Sequence, residues 1–420
     1  MGQLQEIETI ILDGDLDALH QAIGKLEAST DFDALYDAAG LLSEYGFIQE
    51  ADRLYEMLRV HLPDEAQLKI DRAGTLLELG EEDEALLLLS EVKPDDDEYV
   101  QALLALADFY QMTGMAEAAL SKIKEAHSLV PHEPIIRFAY AELLLDAGKF
   151  GEAARLYLEL LKETDEVGGV SIASRLAEAY SAGAAYEEAI PYYEELLDSQ
   201  RTPDNLFGAA FAYYQTRQSE QSIRLLTELI DMDPDYFSAY MLIGQAYVLT
   251  GDDRKAYEWF QEGIKRDPYD KELRLAAGKS AVKLGLPDEA EQHLEEALAL
   301  DPEYIEPLIT LASLYNEREK DEELLDLLAD SKEVAGDIPL LNSFMAYASE
   351  RMEQFEEAYV FYSKAYNGMR EDFGFLESYA NFLLEEGKRK EAIAIVRELV
   401  ELVPDENWRT FLEAQNDEEV

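Results

Sequence analysis

An all-α solenoid, built from repeated pairs of short helices, is the fold that this 420-residue sequence predicts. First, residues of one size class recur at a spacing of 34 positions, and such self-similarity is typical of repeat architectures. Second, the apolar residues of each unit fall at i, i+3, i+4 and i+7, which is the period of an amphipathic helix. Third, glycine often separates two such stretches and proline often follows the second. Each unit is therefore predicted to be helix, tight turn, helix.

The units align on a small residue near the start of the second helix, represented by Ala256 in unit 237–270. This place is occupied in turn by Ala51, Ala85, Ala119, Ala153, Ala189, Ser222, Ala256, Ala290, Leu324, Ala358 and Ala392. The spacing is 34 residues except for 36 and 33 on the two sides of Ala189. About eleven units therefore cover residues 32–406.

Two further places indicate how the helices pack. The first is glycine or alanine in every unit: Ala39, Ala73, Ala107, Ala141, Ala177, Ala210, Gly244, Gly278, Ala312, Ala346 and Ala380. The second is large and apolar in every unit: Tyr55, Leu89, Ile123, Tyr157, Tyr193, Leu226, Phe260, Leu294, Leu328, Tyr362 and Val396. Small side chains let two backbones approach closely, and the large ones fill the gap beside them. Because one helix pair cannot bury its apolar face alone, neighbouring units must stack.

The turn and terminal residues complete the pattern. The turn glycines are Gly46, Gly80, Gly114, Gly148, Gly251, Gly285 and Gly387, and the prolines are Pro63, Pro131, Pro234, Pro268, Pro302 and Pro404. Units of this length and pattern resemble tetratricopeptide repeats, and the chain is similar to cytosolic proteins of that family from Gram-positive bacteria. The resemblance implies a right-handed superhelical solenoid with capping helices. Units 305–338 and 339–372 depart from the pattern, because Glu319 and Glu353 replace the turn glycine and Leu324 replaces the close-packing alanine.

The boundaries of the array are predicted from the ends of the repeats. Residues 1–31 are expected to form a capping helix, a helix pair or a degenerate half-repeat. Residues 407–420 are expected to form a docked helix followed by an acidic tail. The segment 163–170 carries the extra residues and a Gly-Gly pair, which favours a bend there. No β-sheet is expected anywhere in the chain.

Composition excludes several classes of function. Asp and Glu number 91 against 35 Lys and Arg, which gives a formal charge of −56. That charge repels nucleic acid and anionic lipid, and the chain contains no cysteine for disulfides or thiolate metal sites. The acidic start lacks the basic and apolar regions of a signal peptide, and no apolar run approaches the length of a membrane span. We expect a cytoplasmic protein that does not bind nucleic acid and does not insert into membranes.

No motif for catalysis, a cofactor or a metal ion is present. The two close histidines, His127 and His132, straddle Pro131 in a predicted turn between units, where a surface position is favoured over a metal site. Two stretches with alternating aspartates, 13–17 and 231–235, lack the glycine and the glutamate that a calcium loop requires. We therefore expect a protein that is not an enzyme and holds no cofactor or metal.

The resemblance implies that the fifth, ninth and twelfth places of each unit, which fall in its first helix, point toward a concave face. The predicted partner-binding residues are Phe138, Phe207, Phe211, Tyr214, Met241, Arg274, Lys279 and Tyr347. Phe207, Phe211 and Tyr214 share one helix face in unit 203–236, and this face is the most aromatic. The alternative is that these rings pack on the next first helix as part of the core. Arg274 and Lys279 are predicted to anchor an acidic group of the partner or, alternatively, to balance nearby carboxylates.

The predicted function is a non-catalytic scaffold or adaptor that binds a basic, apolar peptide or helix in the concave groove. Two alternatives are a peptide-responsive regulator and a holdase-like assembly factor. Regulators of that kind usually carry an effector domain before the repeats, and the 31 residues ahead of the first unit are expected to be too few for one. A holdase would differ from an adaptor in accepting many client proteins.

Overall fold

The computed structural model describes residues 2–331, 336–403 and 405–418, so Pro404 and the last residues of the acidic tail lie outside the described part. By its internal contacts the chain divides into two compact units, Met1–Arg201 and Thr202–Val420. In both, consecutive helices pack as antiparallel pairs. The prediction of an all-α repeat fold is confirmed.

The first compact unit contains twelve described helices and one short hairpin. The helices are α1 (Gly2–Asp13), α2 (Leu16–Glu27), α3 (Phe32–Glu44), α4 (Ile48–His61), α5 (Ala66–Leu79), α6 (Glu82–Ser90), α7 (Tyr99–Met112), α8 (Ala116–Leu129), α9 (Pro134–Asp146), α10 (Phe150–Leu161), α11 (Ile172–Ala182) and α12 (Tyr186–Ser199). Residues 1–31, which were predicted to cap the array, contain α1 and α2. Ile7 of α1 and Leu19 of α2 are buried in the same apolar cluster as Leu35 of α3.

The second compact unit contains thirteen described helices. They are α13 (Pro203–Gln215), α14 (Ser219–Met232), α15 (Ser238–Thr250), α16 (Asp253–Arg266), α17 (Lys271–Lys283), α18 (Pro287–Leu300), α19 (Ile305–Glu317), α20 (Asp321–Asp330), α21 (Pro339–Arg351), α22 (Phe355–Tyr366), α23 (Phe373–Glu385), α24 (Arg389–Leu402) and α25 (Glu406–Glu418). Trp408 and Phe411 of α25 pack against the core that α22–α24 build.

The small and large places meet in the core as the sequence predicted. All residues at both places are buried. A Cβ atom added to Gly244 would lie 2.2 Å from the ring of Phe260, and one added to Gly278 would lie 2.8 Å from Leu294 Cγ. These distances are far below van der Waals contact, so the large residue of each second helix fills the space that the missing side chain leaves.

The turn between the two helices has the same backbone shape in units with and without glycine. The turn residue has positive φ in all eleven predicted units: about 80° at Gly46 and Gly251, and 58°, 60°, 52° and 59° at Ala184, Arg217, Glu319 and Glu353. The backbone N–H of Lys320 donates to the carbonyl of Tyr315 at 2.9 Å, a bond that closes the helix end in a Schellman motif. The departures at Glu319 and Glu353 therefore keep the turn and place a bulkier residue in a strained conformation.

The expectation of a chain without any sheet is wrong at one point. Glu166–Val167 (β1) pairs antiparallel with Val170–Ser171 (β2), with Val167 opposite Val170. Gly168 and Gly169 form the two-residue connection, and both have positive φ, which is what a type I′ hairpin turn requires. The extra residues of segment 163–170 thus form a minimal hairpin between α10 and α11. The predicted bend at this segment stays a prediction.

Candidate functional site

The aromatic face of α13 is partly exposed. Leu206 and Ala210 of this helix are fully buried, whereas Phe207, Phe211 and Tyr214 keep part of their surface in solvent. The rings of Phe207 and Phe211 stack with centroids 6.4 Å apart and an interplanar angle of 17°. Phe207 and Phe211 thus lie on one helix face, and their rings form a stacked pair at the surface. Aromatic pairs of this geometry gain attraction beyond the area they bury.

A third ring and a carboxylate border this pair. Tyr236, which lies between α14 and α15, contacts Phe207 at a centroid distance of 5.1 Å. Its hydroxyl donates to Asp204 Oδ1 at 3.3 Å, and burial together with Asp204 raises the pKa of Tyr236. Asp204 itself is exposed. The surface therefore presents apolar rings beside a negative charge, and the sequence reasoning did not identify Tyr236 or Asp204.

Met241 and Phe138 are partly buried, as the stacked pair is. Met241 of α15 is partly buried against the core of the second compact unit. Phe138 of α9 is partly buried against the core of the first and meets Tyr157 edge-on, with centroids 6.0 Å apart. Both side chains fit the core alternative as well as the groove alternative. The grouping of Phe138 with Phe207 stays a prediction.

The two predicted cationic anchors have partners within the chain. The guanidinium of Arg274 donates to the carbonyl of Pro268 at 2.7 Å through Nη2 and forms an ion pair with Glu296. Lys279 forms an ion pair with Glu306 and keeps 42% of its side chain exposed. The neighbouring Lys271 is also paired within the chain, since its Nζ lies 2.6 Å from Asp301 Oδ2. These contacts favour the charge-balancing interpretation, and the anchoring role of Arg274 and Lys279 stays a prediction.

Tyr347 lies at a cleft that the sequence did not reveal. The cleft has a volume of about 610 Å³, and its lining includes Tyr347, Glu350, Tyr362, Asp372, Ser378 and Asn381. The helices α21 and α23 supply most of these residues, and Tyr362 reaches the cleft from α22. Burial, followed by the charge of Asp372, raises the pKa of Tyr347 to about 12. The Tyr347 phenol is therefore neutral at physiological pH.

Tyrosines at the large apolar place connect the core to the first-helix face. The hydroxyl of Tyr157 donates to Glu142, and that of Tyr362 donates to Glu350 Oε2 at 2.6 Å. Ser181 Oγ donates to the hydroxyl of Tyr193 at 3.3 Å. In each case the partner stands at the ninth or twelfth place of the repeat unit, within its first helix. The sequence signal for these contacts is a tyrosine where other units have leucine. The sequence alone does not show which group the tyrosine hydroxyl contacts.

The described residues contain neither a candidate metal site nor a membrane-spanning helix. Residues 2–331, 336–403 and 405–418 contain no group of three or more His, Asp or Glu side chains placed to hold a metal ion. Within the same ranges no helix has both the length and the apolar character needed to cross a bilayer.

The paired helices, the left-handed turn residues and the small-to-large core contacts define a tetratricopeptide repeat protein. General tetratricopeptide repeat profiles match residues 172–206, 207–271 and 272–304. Profiles described as YpiA-like tetratricopeptide repeats and YpiA-like C-terminal tetratricopeptide repeats match residues 111–165 and 339–406. The chain belongs to the YpiA-like family of tetratricopeptide repeat proteins. Tetratricopeptide repeat proteins in general bind other proteins or peptides and generally act as non-catalytic scaffolds.

Sequence relatives support this assignment. The tetratricopeptide repeat-containing protein YpiA of Bacillus subtilis (strain 168) is 35% identical over 399 residues, which is 95% of this chain and 94% of the relative. The predicted similarity to repeat proteins of Gram-positive bacteria is thereby confirmed. The cellulose synthase operon protein C of Pseudomonas fluorescens is 25% identical over 70% of this chain but only 22% of its own length.

Solved structures with a similar arrangement were also found. A tetratricopeptide repeat protein from Parabacteroides merdae covers 63% of this chain and 98% of its own length, at 17% identity and a TM-score of 0.44. YrrB, described as a tetratricopeptide repeat protein with an unusual peptide-binding site, covers 44% of this chain and 95% of its own length, at 16% identity and a TM-score of 0.38.

Proposed function

We propose that this protein is a non-catalytic scaffold that binds a basic, apolar peptide or helix on the face formed by Phe207, Phe211 and Tyr214. The observation that carries the proposal is the stacked, partly exposed ring pair Phe207–Phe211 on α13. Aromatic side chains present a large apolar area and lose little rotamer freedom on binding, which makes them frequent anchors of interfaces.

The expected chemistry of the partner follows from charge. The chain carries a formal charge of −56, and Asp204 lies next to the ring of Tyr236 at the edge of the aromatic face. A positive partner would be attracted over long distances, which speeds encounter, and the rings would then provide the short-range contact. Met241 is proposed to extend this face, and Phe138 and Tyr347 to serve corresponding surfaces elsewhere on the first helices.

The proposal is tested by the double substitution Phe211→Ala with Tyr214→Ala. We expect loss of the proteins that the wild type captures after crosslinking in native cytosol, with little change in melting temperature, since both side chains are only partly buried. Met232→Ala is the matched control, because Met232 is 48% exposed at the end of α14, outside this face. Control and wild type should capture the same proteins.

Two outcomes would count against the proposal. A large drop in melting temperature would assign the rings to the repeat core, where truncation of a large side chain costs about 3–5 kcal/mol. Full retention of every captured protein by the double variant would place the binding face elsewhere. Capture of many unrelated proteins in similar amounts would favour the holdase alternative over a specific adaptor.

A further inference from the structure

The cleft between α21 and α23 combines a rigid aromatic wall with carboxylates. Tyr362 is fully buried among rings, with Tyr379 stacked at 4.9 Å and an interplanar angle of 6°, and Phe375 at 5.8 Å. Tyr347 meets Tyr362 edge-on at 5.8 Å. Since these rings hold one another, the hydroxyl of Tyr362 is fixed where it reaches the cleft.

That hydroxyl fixes the orientation of Glu350. It donates to Glu350 Oε2 at 2.6 Å, which leaves the carboxylate with acceptor capacity for a ligand, because each carboxylate offers about four lone pairs. Burial, followed by the repulsion of Glu385, raises the pKa of Glu350, whereas the bond from Tyr362 and the charge of Arg351 lower it. The ionised form is therefore held at an energetic cost that an arriving positive charge would relieve.

The one cation in the described cleft lining, Arg351, forms an ion pair with a carboxylate outside that lining. Its guanidinium donates to Asp321 Oδ1 at 2.6 Å and to Asn316 Oδ1 at 2.9 Å. Glu350 and Asp372 consequently give the cleft a net negative charge.

Asp372 is also oriented by a hydrogen bond within the chain. Its Oδ1 accepts the backbone N–H of Phe375 at 2.9 Å, as the N-cap of α23. Its second oxygen is not needed for that cap. The charge of Asp372 also raises the pKa of Tyr347, so the carboxylate acts on the aromatic wall of the same cleft.

We propose that this cleft binds an arginine side chain of a partner protein, with the guanidinium placed between Glu350 and Asp372 and against the ring of Tyr347. Arginine fits better than lysine because its planar fork can donate to two carboxylates at once and can stack on an aromatic face. The inference rests on the proposed function, since it supplies the basic residue of the partner with a specific receptor. The cleft and the α13 face share no residues, so either proposal can fail while the other holds.

The test is the binding of three fluorescein-labelled tripeptides of sequence Leu-X-Leu, in which X is arginine, lysine or citrulline. Citrulline keeps the shape of arginine without its charge. We expect the arginine peptide to bind about tenfold or more tightly than the citrulline peptide, as is typical of a hydrogen bond to a charged group, with lysine between them. Fluorescence anisotropy of the full chain measures all three.

Substitutions locate the site. Glu350→Gln should weaken the arginine peptide by about tenfold and leave the citrulline peptide unchanged. Tyr362→Phe keeps the buried ring, removes only the bond to Glu350, and should weaken the arginine peptide less. The matched control is Glu317→Gln, which removes one exposed carboxylate from the end of α19 and should have no effect. Melting temperatures of all variants report whether the fold is retained.

Several results would overturn the inference. They are equal binding of the arginine and citrulline peptides, no binding of the arginine peptide at millimolar concentration, and equal weakening by Glu317→Gln and Glu350→Gln, which would indicate general attraction to an acidic chain. The α13 variant Phe211→Ala with Tyr214→Ala separates the two proposals. It should bind the arginine peptide normally even though it loses the captured proteins.

Discussion

Single residues at the helix crossings set how closely the two helices of a pair approach. Gly244 lies directly against Phe260, so that even a methyl group there would collide with a buried ring. Other units combine alanine with tyrosine at these two places, as Ala141 and Tyr157 do. The combination of residues, rather than the small place alone, therefore determines the spacing of each pair.

Gly244→Ala is accordingly expected to destabilise the protein by about 1–3 kcal/mol, because overpacking forces Phe260 from its position. The urea midpoint measures the change. Gly74→Ala is the control, since Gly74 is an exposed residue within α5 with no atom within 4 Å of an added Cβ. It should stabilise the protein slightly, by about 0.5–1 kcal/mol. A neutral Gly244→Ala would contradict the close crossing.

The buried tyrosines predict a loss of stability at alkaline pH. Burial raises the pKa of Tyr347 to about 12, and burial with the bond to Glu398 raises that of Tyr366 to about 12. A raised folded-state pKa gives a contribution to stability that is complete below the unfolded value of about 10 and is lost as the pH rises toward 12. The urea midpoint should fall over that range.

Tyr347→Phe should make this fall shallower, because one group that must ionise on unfolding has been removed. Tyr269→Phe is the control, since Tyr269 is 81% exposed and should leave the alkaline fall unchanged. Identical pH profiles for the wild type and Tyr347→Phe would show that Tyr347 is not held neutral by the fold.

At the scale of elements, the helix pairs were predictable and several details were not. The periodic apolar pattern predicted the paired helices, because short local periods determine helix faces. The hairpin at β1 and β2 was missed although its Gly-Gly pair is a recognised signal, since the surrounding repeat pattern suggested only an insertion. The cleft at Tyr347 was missed because Glu350, Tyr362 and Asp372 come together only when α21, α22 and α23 pack.

Glu319→Gly is expected to stabilise the turn between α19 and α20. Glu319 has φ of 52°, a conformation that costs a residue with a side chain about 1 kcal/mol relative to glycine. The urea midpoint should therefore rise. Gly251→Ala provides the reverse control, since Gly251 has φ of 78° and no neighbouring atoms that a methyl group would touch. A fall with Glu319→Gly would mean that its side chain contributes more than the strain costs.

At the scale of the whole molecule, charge is the dominant feature. Asp and Glu outnumber Lys and Arg by 91 to 35, so even complete one-to-one pairing would leave 56 carboxylates without a cation, which is the formal charge of −56. Many of those cations are already used locally, as Lys271 with Asp301 and Arg370 with Glu398 illustrate. The remaining carboxylates repel one another and leave the surface attractive to positive partners.

Salt should therefore stabilise the protein. Between about 0.01 M and 0.15 M ionic strength the Debye length falls from about 30 Å to about 8 Å, which screens repulsion among exposed carboxylates. The melting temperature should rise over this range. An unchanged melting temperature would indicate that the fold already compensates its charge.

Site-specific photocrosslinking is the most direct test of whether a partner binds on the aromatic face of α13. A benzophenone amino acid is placed at Tyr214 and, in a second version of the full chain, at Met232 at the end of α14. We expect position 214 to crosslink to a basic partner and position 232 to give no crosslinked partner. Equal crosslinking at both positions, or none at 214, would contradict it.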